Sequence, residues 1–85
     1  MFYKVKDVKP LKDYQLLVKF ATGECKQYDV ASLFVKWEAF KTLENVLGLF
    51  EQVKVDAGGY GVYWNDDIDI SCNELWYNGK IIDVA

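Results

Sequence analysis

Three aspartates within four positions, Asp66, Asp67 and Asp69, form the densest cluster of chemically capable groups in the chain. Converging carboxylates hold hard cations such as Ca2+ or Mg2+, which take several oxygens at once. Asp67, Asp69, Ser71 and Asn73 also put an oxygen-bearing side chain at every second residue. A calcium loop of the EF-hand type needs Gly at its sixth position and Glu at its twelfth. Counted from Asp67, those positions hold Cys72 and Asn78, so the motif fails. Asp66, Asp67 and Asp69 are thus only candidate cation ligands. Asp69 has a competing structural role, as acceptor for backbone N–H groups where a strand enters a helix, near the positive end of the helix dipole.

Other chemistry is poorly equipped. The chain contains no His and no Arg; its ten basic residues are all Lys. Without His there is no side chain with an unperturbed pKa near neutrality, and the commonest metal ligand is absent. Nucleophilic catalysis by Cys25 or Cys72 would need an activating base that no motif supplies. The two thiols are far apart in sequence and read as small apolar packing residues of a reduced protein. No catalytic residue and no cofactor are expected, and the chain is not expected to be an enzyme. Without Arg there is no planar fork for phosphate or guanine. Residues 51–85 carry two Lys against seven acids, the reverse of the basic patch nucleic acid requires. No apolar run approaches the length of a membrane span, and MFYKVKDV is not a signal peptide. Neither nucleic acid nor membrane is an expected partner, and the expected location is cytoplasmic.

These residues must be positioned by a small scaffold. Eighty-five residues are expected to form one domain (residues 1–85), whose thin core relies on large rings yet cannot hide all fourteen aromatics. Alternation predicts a strand over residues 2–9, with a phase slip near Asp7 and Val8 and an end at Pro10. A second strand spans Tyr14–Phe20, with Leu16, Val18 and Phe20 on one face. Gly23 turns it into a third, Cys25–Val30, with Tyr28 and Val30 inward. The spacing of Leu33, Trp37, Phe40, Leu43 or Glu44, and Leu47, a stripe widened by Phe34, then predicts a helix capped by Ser32. A second short helix is expected from Thr42, over Leu43–Phe50.

Val53 to Ser71 carries the most local instruction. It reads as a strand over residues 52–56, a Gly58-Gly59 turn and an outgoing strand Val62–Trp64. Asn65–Ile70 follows as an alternating strand with one wet face. A phosphate-cradling use of GGYG fails for want of the Lys, the hydroxyl and a following helix. Ser71 and Glu74 stand three apart, the spacing of a capping box, and start a helix that Asn78-Gly79 stops. Ile81, Ile82 and Val84 suggest a final edge strand in a tail over residues 78–85. The expected fold is α+β: one antiparallel sheet of about five strands, a meander plus a hairpin, with two or three short helices on one face.

Several stretches together resemble a known family. They are Asp7–Glu24, Tyr28–Val30, Leu47–Asp56 and the GGYGVYWNDDIDIS run, most specifically Trp64, Asn65, Asp66, Asp67, Ile68, Asp69 and Ile70. The pattern is similar, over roughly residues 5–77, to a bacterial family known as domain of unknown function number two-four-four-two. The resemblance implies an α+β domain with an antiparallel sheet and short helices, and it implies no catalytic residues. Some members carry a helix-turn-helix after this domain; no such segment is read here. Others lie beside a second small protein in a toxin–antitoxin-like arrangement, which implies a protein partner.

The leading expectation is therefore a small non-catalytic interaction or regulatory module that binds another protein or itself. Trp37, Tyr60, Trp76 and Tyr77 are its candidate contact rings. The alternative is a divalent-cation or small-ligand-binding domain built on Asp66, Asp67 and Asp69. Gly23, Gly58, Gly59, Trp64, Asp69, Ser71 and Glu74 are the expected structural positions.

Overall fold

Leu16, Val18 and Phe20 alternate with more polar neighbours, and all three are fully buried. They lie on β2 (Gln15–Phe20), at the middle of a four-stranded antiparallel sheet. The computed structural model describes residues 1–82. Its first sheet runs in the order β1 (Val5–Leu11), β2, β3 (Cys25–Asp29), β7 (Lys80–Ile81). β1 continues through Pro10, which pairs with Leu16, rather than ending there. It can do so because β1 is the edge of its ladder, where a missing N–H leaves no partner unsatisfied. The predicted phase slip appears as a register shift between Val5 and Asp7. The tail strand forms at Lys80–Ile81 on β3; Val84 lies outside the described residues.

A single sheet was the expectation; the molecule has two. The second contains β4 (Lys54–Val55), β5 (Gly61–Asn65) and β6 (Ile68–Ser71). The bulged, proline-bearing edge of β1 cannot carry a continuous ladder onward. The sheets instead meet where the Val5 N–H donates to the Gly59 carbonyl at 2.8 Å. The predicted Asn65–Ile70 strand is divided by a tight turn at Asp66-Asp67, which folds β6 back on β5. The side chain of Asn65 closes that turn by accepting the Asp67 N–H at 2.9 Å.

The predicted helix over Leu33–Leu47 does not form. Two 3-10 turns, Ala31–Leu33 and Glu38–Lys41, flank an extended Trp37, and only α1 (Thr42–Asn45) is α-helical. A straight helix presents one apolar stripe. Here Leu33, Phe34, Phe40, Leu43 and Phe50 all reach the core, and a broken path lets each do so. Leu47 and Trp37, assigned to the stripe, are exposed instead. Ser32 is not a helix cap either: its hydroxyl donates to the Asp29 carbonyl, while the Asp29 side chain accepts the Ala31 N–H.

The second helix, α2 (Cys72–Asn78), follows β6 directly, and the Ser71 hydroxyl accepts the Glu74 N–H at 3.2 Å. Both sheets, the turns and α2 share one core. Trp64 sits in it, its indole N–H donating to the Phe50 carbonyl at 2.9 Å. Cys72 is buried and Cys25 half-buried, and both are free thiols.

Candidate interaction surface

The acidic run does not make a site. Asp66 and Asp67 are exposed at the turn, and Asp69 is exposed on β6 across from Tyr63. Among the described residues no three His, Cys, Asp or Glu groups come together as a metal site would require. The geometry of the described residues therefore gives the cation-binding alternative no support over the main reading. Asp69 does not hold the start of α2 either; Ser71 holds it, and the Cys72 N–H goes to the Tyr60 carbonyl.

Glu74 completes only half of the predicted capping box. Instead of turning back to Ser71, its carboxylate accepts the Tyr28 hydroxyl at 2.7 Å and the Asn78 amide at 2.9 Å. Burial pushes the Tyr28 phenol far above its usual pKa, and its bond to Glu74 and the charges of Glu74 and Asp29 push the same way. Tyr28 is therefore a neutral hydrogen-bond donor to Glu74.

The pair forms part of the wall of a groove of about 480 Å3. One bank is Leu33, Lys36, Trp37 and Phe40; the other is Asp69, Ile70 and Ser71 of β6, with Tyr28 and Glu74 beside them. Trp37 is 60% exposed, although its neighbours in the groove, Leu33 and Phe40, are buried. The extended backbone at Trp37 turns its indole out of the core.

The other expected contact rings divide. Tyr60 and Tyr77 are exposed. Phe2 meets Tyr60 edge-on at 5.2 Å, and Tyr3 meets Tyr77 edge-on at 5.8 Å. The Tyr77 hydroxyl and its charge raise the pKa of Tyr3. Trp76 is not a free ring. It stacks on Tyr3 at 4.1 Å, receives Phe20 edge-on, and lies under the Lys26 ammonium at 4.0 Å. The glycines singled out from sequence all occupy positive φ at turns, at Gly23, Gly58 and Gly59. Only Gly59 also lies against the other sheet.

Three contributors escape a reading of the sequence. Lys26 is 8% exposed and donates to the Trp76 carbonyl near the end of α2. Its place in the alternation with Tyr28 and Val30 was the available signal. Asn73 accepts the Tyr3 N–H and donates to the Met1 carbonyl, clasping the N-terminal residues to α2. Asp56 accepts the Tyr60 N–H at 2.7 Å and so shapes the glycine turn.

Two antiparallel sheets with short helices, one core and an open lateral groove define a small α+β domain. The chain belongs to the family described as protein of unknown function (DUF2442), whose model matches residues 5–80. No curated protein and no solved structure matches it. Among the described residues no helix is long and apolar enough to cross a membrane.

Proposed function

We propose that this domain is a non-catalytic protein-binding module and that the groove between Trp37 and β6 is its binding face. The observation that carries the reading is an indole 60% exposed at the lip of a groove with an apolar floor. Large rings beside such pockets are what protein partners anchor on. A non-catalytic reading is favoured by the lack of any His to activate a nucleophile and by the burial of the Cys72 thiol in the core. The partner is another small protein, in keeping with the toxin–antitoxin-like setting of some relatives, and the two free thiols suit a cytoplasmic protein.

The test is affinity isolation of tagged protein from its own cells, with Trp37→Ala and Tyr77→Ala alongside. The reading expects a retained protein that is lost from the Trp37 variant and kept by the Tyr77 variant. Equal retention by all three forms contradicts it.

A further inference from the structure

We infer that the groove takes an extended peptide segment as an additional strand on the outer edge of β6, with a basic side chain opposite Asp69 and an apolar one opposite Ile70. This deepens the proposed binding face and rests on it.

The ladder register fixes which groups are free. β5 and β6 pair as Gly61↔Ser71, Val62↔Ile70 and Tyr63↔Asp69, and the Cys72 N–H donates to the Tyr60 carbonyl at 2.8 Å. In an antiparallel ladder hydrogen-bonded pairs alternate with non-bonded ones. Val62↔Ile70 is thus a bonded pair, and the backbone groups of Asp69 and Ser71 point away from β5. β6 is the last strand of its sheet among the described residues, and that outer side faces the groove. Asp69 offers an N–H and a carbonyl there, and Ser71 an N–H. A strand laid along them completes a ladder that the domain leaves open.

Side-chain alternation sets the partner's chemistry. Ile70 is buried while Asp69 and Ser71 are exposed. A guest residue opposite Ile70 therefore points toward Leu33, Trp37 and Phe40, and its neighbours point outward beside Asp69. The groove holds two carboxylates, Asp69 and Glu74, against one ammonium, Lys36, and Asp66 and Asp67 lie just beyond β6. Lysine or arginine flanking an apolar residue complements this charge. A second copy of β6 does not, because it would bring two sets of aspartates together.

The probe is a seven-residue peptide alternating lysine with leucine, followed by isotope-resolved amide spectra of the full chain. Binding is expected to slow exchange of the Asp69 and Ser71 amides. It should weaken about ten-fold or more when glutamate replaces lysine or when the peptide backbone is N-methylated. Asp69→Lys is exposed and should fold; it is expected to reverse the preference toward the glutamate peptide, whereas Glu51→Lys, also exposed and away from the groove, should not. No binding, binding without protection of Asp69 and Ser71, or an unchanged charge preference in Asp69→Lys overturns strand addition. If the partner isolated from cells is lost by Trp37→Ala yet leaves both amides unprotected, strand addition fails while the binding face stands. If Trp37→Ala keeps that partner, the binding face itself is wrong.

Discussion

Replacing Gly59 by Ala should damage the junction between the two sheets, and Gly48 supplies an internal control. Both glycines have left-handed backbones, with φ +79 at Gly59 and +83 at Gly48. A side chain in that conformation costs about 1–2 kcal/mol in either place. The surroundings differ. A Cβ at Gly48 meets nothing within 4 Å, whereas one at Gly59 would stand 2.6 Å from the Val5 carbonyl oxygen. That oxygen belongs to the residue whose N–H bonds Gly59, so relieving the clash strains or breaks the inter-sheet bond. Its loss adds about 1 kcal/mol. Gly48→Ala should therefore lower the melting temperature by about 5–10 °C and Gly59→Ala by about 10–20 °C. Tryptophan fluorescence during urea or thermal unfolding reads both, since Trp64 is buried in the shared core. Equal losses in the two variants would refute the claim that the sheets are docked through this contact.

Lys26→Ala should destabilise the domain by about 2–3 kcal/mol in urea titration, because a buried charged donor to the Trp76 carbonyl and the stem packed beside it are both lost. Lys26→Met, which keeps the stem, should lose less. Tyr28→Phe should cost about 1 kcal/mol below pH 10 through the bond to Glu74. The folded phenol has a raised pKa relative to 10.0, so above pH 10 the unfolded chain gives up its proton first. Stability present at lower pH is then lost as pH rises. Tyr28→Phe should flatten that alkaline decline in pH-dependent unfolding. Millimolar Ca2+ or Mg2+ should leave the melting temperature unmoved, since the three aspartates do not converge; a clear rise would contradict that geometry.

What could be read from the chain follows from how local its causes are. β2 shows in its own alternation, and the start of α2 in the Ser71–Glu74 spacing, because strand faces and caps are decided by a few neighbouring residues. The family was also legible, since Trp64 to Ile70 is a distinctive run. The split into two sheets was not. It depends on how the bulged edge of β1 meets Gly59, a contact between residues more than fifty positions apart. Residues 33–47 misled because several short turns can bury the same side chains that a helix would. The groove was half legible. Trp37 was a candidate, but its extended backbone and the open edge of β6 are products of packing. Lys26 was hidden by the ordinary expectation that lysines are wet.

Residue-resolved amide exchange on the free protein tests most directly whether β6 offers an open edge. The ladder predicts slow exchange at Ile70 and Cys72, whose N–H groups face β5, and fast exchange at Asp69 and Ser71, whose N–H groups face the groove. Slow exchange at all four would mean that the edge is already covered and that no strand can be added to it.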